Sequence, residues 1–169
     1  EPRKNVGGLL DAYERLLSRW PEVPRLVLAG RQTPAARAWI ERAKGPAFKG
    51  QVDIRGYISD RDRASTYLGA AVVVLPSFDE GFGLPALEAM ALGIPVVVSN
   101  RGALPEVVGD AGLQVDPEDA DGIADALYRV LTEAGLHRAC REAGVARADR
   151  FNWADSARLL LQHYLTALG

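Results

Sequence analysis

Short apolar runs alternate with longer stretches of helical spacing along most of the chain. The runs are rich in Val, Leu and Ile, and each ends in a glycine, a proline or a polar residue. Five of them predict β-strands, at residues 25–30, 51–56, 71–76, 95–99 and 112–116. Because a helical pattern separates successive runs, the alternation favours a parallel α/β sheet.

Three apolar stripes at intervals of three and four residues predict the longer helices. The first lies at residues 6–20, the second at 123–131, and the third starts at Trp153 with Asn152 as its N-cap. Three tryptophans belong to helical stripes, and we expect each of them to pack against apolar neighbours: Trp20, Trp39 and Trp153.

The order of the elements differs from that of a complete doubly wound domain, which starts with its central strand. This chain opens on a turn and a helix instead. A first central strand is therefore missing between the predicted strands at 25–30 and 71–76, and we interpret the chain as a fragment. No linker or internal repeat divides it, so residues 1–169 are expected to form one domain.

Charge and composition narrow the partners and the compartment. The chain has 20 basic and 22 acidic side chains, a net charge of -2, and no basic block. Nucleic acid is therefore not an expected partner. Cys140 is the only cysteine, which suits a reducing cytoplasm. The apolar runs are too short to span a bilayer, and the first residues lack the apolar region of a signal peptide.

Residues 76–100, PSFDEGFGLPALEAMALGIPVVVSN, carry the candidate chemistry. This segment leaves a predicted strand at its carboxyl end, which is the edge where open parallel sheets bind ligands. Gly81 and Gly83 allow the backbone to approach a ligand closely. The N–H groups at the start of the next helix favour a phosphate. The turn therefore suits a diphosphate, although the chain has no lysine-bearing Walker loop.

Two carboxylates flank this turn. Glu88 comes about one turn into the helix, and its two oxygens can accept hydrogen bonds from the vicinal hydroxyls of a ribose. Glu80 precedes the helix, on the side where a donor sugar would lie. Taken singly, each residue has an ordinary structural explanation. Gly81 and Gly83 are also typical of turn glycines, Glu80 of a carboxylate at a helix dipole, and Glu88 of a solvated helical residue. Their combination favours a sugar-nucleotide site.

The same segment also resembles the signature of a known protein family. The chain resembles the C-terminal, nucleotide-sugar-binding domain of the retaining family-4 (group 1) glycosyltransferases, whose hallmark is two glutamates separated by seven residues, as Glu80 and Glu88 are. The resemblance covers essentially the whole chain, through EPRKN, LVLAG, GYISD, the segment at 76–100, LPEVVGDAGLQVDPED and RFNW. It implies the GT-B arrangement, in which two Rossmann-like domains face each other across a cleft. This chain would be the donor-binding domain, without the acceptor-binding N-terminal domain.

The resemblance also assigns roles to residues. Glu80 would lie beside the donor sugar at the reacting centre, and Glu88 would bind the ribose. Backbone amides of one short segment would contact the sugar and the diphosphate: Gly81, Phe82, Gly83 and Leu84. Lys4 and Arg3 match the basic residues that hold the diphosphate. A further turn matches the segment along which the base lies: Gly56, Tyr57 and Ile58. For that turn, a simple strand-to-loop connection with Tyr57 packed at the sheet edge stays open.

The implied reaction is transfer of a hexose from a nucleoside diphosphate sugar to an acceptor hydroxyl, with retention of anomeric configuration. Asp60 and Asp62 fall at a predicted helix start, so we expect no metal and no cofactor beside the donor. EPRKN resembles a branch with many GDP-mannose-dependent enzymes, but UDP-sugars stay open as donors. The complete enzyme would contact the inner face of the membrane only through its absent half.

Three classes of function compete with hexosyl transfer. An isolated nucleotide-binding module without catalytic activity is the alternative for this fragment. A sugar-nucleotide epimerase or a phosphorylase would share the two-domain plan, but their residue patterns are not visible. A dinucleotide-dependent dehydrogenase would need G-x-G-x-x-G after the first strand, and the chain lacks it.

Overall fold

The computed structural model describes residues 1–168 and confirms an α/β architecture. Its strands all lie within the predicted runs: β1 (Leu26–Ala29), β2 (Val52–Gly56), β3 (Val73–Leu75), β4 (Val96–Ser99) and β5 (Leu113–Val115). Eight α-helices are present in the described residues: α1 (Val6–Arg19), α2 (Arg37–Ala43), α3 (Asp60–Leu68), α4 (Leu84–Ala91), α5 (Leu104–Val108), α6 (Ala120–Thr132), α7 (Ala134–Ala148) and α8 (Trp153–Leu168).

All strand pairs are parallel, as predicted, but they form two ladders. One ladder joins β1 to β2, and the other has the order β3-β4-β5. In the second, Val73 pairs with Val96 and Val97 pairs with Leu113. No ladder joins β1 to β3 within residues 1–168. This is the position where the sequence predicts a missing central strand.

Helices cover both faces of the β3-β4-β5 sheet. Because successive side chains of a strand point to opposite faces, the fully buried residues of β4 divide between two cores. Val97 belongs to the core that contains α1 and α6. Val96 and Val98 belong to the core that contains α4 and α5. The fold is therefore the Rossmann-like sandwich expected from the sequence, with β4 at its centre.

Hydrogen bonds hold the first five residues against the loops at the carboxyl ends of β3 and β5. The N–H of Phe78, just after β3, donates to the carbonyl of Arg3 at 2.7 Å. Asn5 has a positive φ of 51° and caps α1 by accepting from the N–H of Gly8 at 3.2 Å. Its amide also donates to the carbonyl of Pro117 at 2.6 Å, after β5. These bonds hold Arg3 and Lys4 next to the loop that follows β3.

Helix α8 differs from its prediction in packing. Asn152 caps it as expected, since its side chain accepts from the N–H of Asp155 at 2.8 Å. Trp153, however, is 86% exposed, so the expectation that it packs against apolar neighbours is wrong for this structure. Its apolar partners along the helix, including Leu160 and Tyr164, are exposed as well. Helical spacing predicts an apolar face but contains no information about the surface that covers it.

None of the described helices combines the length and the apolar character that a bilayer crossing requires.

Candidate functional site

The glycine-rich loop after β3 leads directly into α4. Gly83 is the N-cap of α4, with φ of 95°, and a Cβ there would lie 2.6 Å from Cδ2 of Leu104. The position therefore requires glycine for both conformation and space. A Cβ on Gly81 would meet no atom of the described residues within 4 Å, so their packing does not demand glycine there. That open space lies beside a helix start that no side chain of the described residues caps.

Glu80 is buried, with only 7% of its side chain exposed, and it is the centre of a charged cluster. Lys4 Nζ lies 2.6 Å from Oε1, and the Ser77 hydroxyl donates to the same oxygen at 2.8 Å. Arg3 Nη1 lies 3.5 Å from Oε2. The site thus brings together three residues that the sequence analysis singled out, and adds Ser77, which it did not.

This cluster keeps Glu80 ionised. Burial by itself raises the pKa of the carboxyl, but the hydrogen bonds from Lys4 and Ser77 and the charges of Lys4 and Arg3 outweigh it. The pKa of Glu80 is consequently lowered. Glu80 is therefore an anion at neutral pH, and its two cationic partners are already engaged in this structure.

The loop after β4 supports the backbone of Glu80. The N–H of Ala103 donates to the Glu80 carbonyl at 3.2 Å. Gly102 has φ of 62°, and a Cβ there would lie 3.0 Å from the Glu80 nitrogen. Only a residue without a side chain allows the two loops to approach this closely. Glu80 is therefore held on both its side chain and its main chain.

Glu88 lies on α4 and is more accessible, with 36% of its side chain exposed. It faces two residues of α3. Arg63 Nη1 lies 3.9 Å from Glu88 Oε1, and Arg63 Nη2 lies 3.4 Å from Asp60 Oδ1. Burial is the largest cause that raises the pKa of Tyr67, and the nearby Glu88 carboxylate raises it further. Two residues of α3 thus lie beside Glu88, the cation Arg63 and the phenol Tyr67, which are four positions apart.

The turn after β2 contains the third predicted part of the site. Gly56 has φ of 69° at the end of the strand, and its carbonyl accepts from the N–H of Gly30 at 2.6 Å. Tyr57 is 70% exposed, so the alternative in which it packs at the sheet edge is wrong. Ile58 is half-buried, and Ser59 caps α3. No hydrogen bond in residues 1–168 joins this turn to Glu80 or Glu88.

The apolar members of the loop face outward. Phe82 is 42% exposed and Leu84 is 51% exposed, although both stand next to buried residues. Phe82 contacts the ring of Phe151 edge-on, with the centroids 5.9 Å apart. The outward face of the loop therefore combines open backbone at Gly81 with exposed apolar surface at Phe82 and Leu84.

Sequence reasoning missed four residues of this site: Ser77, Gly102, Arg63 and Tyr67. Ser77 and Gly102 both fall in turns next to predicted strands, and their position at the sheet's ligand-facing edge was an available signal. Arg63 and Tyr67 lie four apart on a predicted helix, but only the tertiary structure brings them to Glu88. Among the residues that the structure describes, no group of three or more His, Cys, Asp or Glu side chains could hold a metal ion.

Comparisons with known proteins point to one family. The sequence profile described as "Glycosyl transferases group 1" matches residues 1–133. O-antigen chain mannosyltransferase B of Escherichia coli is 38% identical over 164 residues, which is 97% of this chain and 43% of that protein. The chain thus spans less than half the length of this curated relative.

Two solved structures are similar as well. Sucrose-phosphate synthase from Thermosynechococcus elongatus has a TM-score of 0.83 and 32% identity, over 99% of this chain and 43% of that one. The C-terminal domain of a group 1 family glycosyl transferase from Francisella tularensis has a TM-score of 0.77 and 29% identity, over 89% of this chain and 80% of that one. With its fold, its paired glutamates and the profile match over most of its length, the chain belongs to the group 1 glycosyl transferases.

Proposed function

We propose that this chain is the donor-binding half of a retaining hexosyltransferase, which transfers a hexose from a nucleoside diphosphate sugar to an acceptor hydroxyl. The observation that carries the proposal is the cluster that Glu80, in the loop leading into α4, forms with Lys4 and Arg3 of the N-terminal turn. Two cations and an uncapped helix start at one edge of the sheet are the groups that bind a pyrophosphate.

Stabilisation of the leaving group would supply most of the catalysis. Negative charge develops on the diphosphate as the glycosidic bond breaks, and preorganised positive groups lower the energy of that state. Lys4, Arg3 and the backbone N–H groups from Gly81 to Leu84 would have this role, because Pro85 has no N–H and the N–H of Ala86 donates to Gly83. The open space at Gly81 leaves room for the sugar and phosphates to approach the backbone. No metal ion is needed in this scheme.

The two glutamates would divide the remaining work. Glu88, which is accessible, would accept hydrogen bonds from the ribose hydroxyls. Glu80, held in a fixed orientation, would bind hydroxyls of the donor sugar and stabilise positive charge at the anomeric centre. The exposed Tyr57, beside Gly56 and Ile58, would offer a surface for the base.

The names of relatives narrow the donor without identifying it. The mannosyltransferase relative favours mannose as the donor sugar. Together with the resemblance of EPRKN to GDP-mannose-dependent enzymes this favours GDP-mannose, and UDP-sugars stay the alternative. The acceptor would bind to the other half of the enzyme. We place the complete enzyme in the cytoplasm, with any membrane contact made by that other half.

Binding of nucleotides tests the donor site directly. Isothermal titration calorimetry with UDP, GDP and ADP should show binding of one of them, and Glu88→Ala should weaken that binding about tenfold through loss of hydrogen bonds to a charged group. Glu106→Ala is the matched control, since Glu106 is an exposed glutamate in the first turn of the neighbouring α5. Absence of binding by all three nucleotides would refute the proposed site.

Transfer kinetics test the reaction in an enzyme that carries this chain together with an acceptor-binding half. Glu88→Ala should mainly raise the donor KM, and Glu80→Ala should mainly lower kcat. Activity should persist in EDTA, and NMR of the product should show the anomeric configuration of the donor. An inverted product would contradict retention but leave the donor site intact.

The second candidate is a nucleotide-binding module without catalytic activity, for the chain by itself. It is favoured by the span of the chain, which is 43% of its mannosyltransferase relative. A transfer assay with and without the other half separates the two functions. Transfer by the chain alone would contradict this second candidate.

A further inference from the structure

The contacts of Glu80 are unevenly distributed between its two oxygens. Oε1 receives both short hydrogen bonds, from Lys4 at 2.6 Å and from Ser77 at 2.8 Å. Within residues 1–168, Oε2 has only the 3.5 Å contact with Arg3, which is at the limit of hydrogen bonding. The carboxylate is thus anchored through one oxygen, and the other keeps most of its capacity to accept a hydrogen bond.

Two of these three donors have a competing role. Lys4 and Arg3 are the cations that would hold a pyrophosphate, and their side chains are 35% and 47% exposed. A pyrophosphate carries more negative charge than one carboxylate, so its arrival draws both cations away from Glu80. Arg3 is further shared with Glu1, at 2.9 Å.

Ser77 cannot follow them. Its side chain is uncharged, the residue is 1% exposed, and it directly follows the buried Pro76 at the end of β3. Its hydroxyl has the Glu80 carboxylate as its hydrogen-bond acceptor within the described chain. When the donor nucleotide binds, Ser77 is therefore the partner that stays in place.

We propose that Ser77 is a positioning residue for transfer: it holds Oε1 of Glu80 so that Oε2 faces the donor sugar while Lys4 and Arg3 turn to the pyrophosphate. This inference rests on the proposed function. It makes the orientation of Glu80 independent of the cations that bind the leaving group. Ser77 touches neither the sugar nor the phosphates, so its effect should appear in turnover and not in donor affinity.

The kinetic test compares three variants of the enzyme that carries this chain with its acceptor-binding half. Ser77→Ala should lower kcat about tenfold, as expected for one hydrogen bond to a charged group, with little change in the donor KM. Ser77→Cys keeps the shape of the side chain but donates weakly, so its kcat should lie between those of Ser77→Ala and the unsubstituted enzyme. Ser99→Ala is the matched control: Ser99 is fully buried at the end of β4, and its hydroxyl accepts from the N–H of Arg101 at 3.0 Å. It should keep normal kcat.

The pH profile separates positioning from simple structural support. The charged groups facing Glu80 are Lys4 and Arg3 from the N-terminal turn, with Asp79 adjacent in its own loop and only backbone from the Gly102 loop. Loss of the Ser77 hydrogen bond favours protonation of Glu80, so the acidic limb of kcat should move to higher pH in Ser77→Ala. A variant that is merely less stable would not show this displacement.

The outcomes are distinct. If the unsubstituted enzyme neither binds nucleotides nor transfers sugar, the proposed function fails. If it does both, and Ser77→Ala keeps normal kcat and the normal acidic limb, only the inference about Ser77 fails. Should Ser77→Ala not fold, Ser77→Cys decides, because unchanged kcat in that variant overturns the inference.

Discussion

Replacing Glu80 by glutamine removes one negative charge from the cluster while preserving the shape of the side chain. A hydrogen bond to a charged group contributes about 1.5–3 kcal/mol and a neutral one about 0.5–1.5, so each short bond loses about 1 kcal/mol. Lys4 and Ser77 make two such bonds, at 2.6 and 2.8 Å, and the 3.5 Å contact with Arg3 adds little. Because Lys4 is 35% exposed and can turn to solvent, we expect Glu80→Gln to destabilise the fold by about 1–2 kcal/mol at pH 7.

The destabilisation should depend on pH in one direction. The pKa of Glu80 is lowered in the folded chain, so ionisation stabilises the fold above the pKa of the unfolded carboxyl, about 4.3. This contribution is lost as the pH falls through the lower folded pKa. Urea unfolding at pH 7 and at a series of values below 4.3 should therefore show the gap between the two proteins narrowing.

The control is Glu133→Gln, which removes an exposed pair with Arg129 at 3.1 Å and should change stability by less than about 0.5 kcal/mol. Equal stability of Glu80→Gln and the parent at pH 7 would refute the reasoning. So would a gap that stays constant as the carboxyl is titrated, because the cost would then not come from charge.

Three further substitutions test other parts of the structure. Tyr67→Phe removes the hydroxyl beside Glu88 and should weaken nucleotide binding severalfold in calorimetry; unchanged affinity would mean that Tyr67 does not orient Glu88. Gly102→Ala adds a methyl group 3.0 Å from the Glu80 nitrogen at φ of 62°, and should lower thermal stability by about 1–2 kcal/mol; an unchanged melting temperature would contradict the close approach of the loops. Leu10→Ala empties a fully buried position of α1 and should cost about 3 kcal/mol in urea unfolding, whereas a loss below about 1 kcal/mol would mean that the core closes around the gap.

Much of the fold could be predicted because its signals are local. Each strand lies inside an apolar run, and each run ends at a residue that interrupts a ladder, such as Pro76 after β3. The sequence also predicts Asn152 as an N-cap from its position before a helical stripe, and its side chain accepts from an N–H three residues later.

The sequence analysis names residues that the structure brings together, but it does not predict their contacts. Glu80, Lys4 and Arg3 were all singled out, yet the sequence contains no signal that Lys4 pairs with a carboxylate 76 positions away. The pairing depends on the hydrogen bond between Arg3 and Phe78, which forms only when the N-terminal turn lies against β3. Tertiary contacts of this kind also decide the exposure of Tyr57 and Trp153, which spacing alone could not predict.

The exposed apolar face of α8 lowers the stability of that helix in water. An isolated helix of 16 residues is only marginally stable, since most helical stability in proteins comes from burying an apolar face. Here Leu159, Leu160 and Leu165 leave more than half of their surface in solvent. Amide protons of α8 should consequently exchange with deuterium far faster than those of α1, whose apolar face is buried, until some other surface shields these leucines.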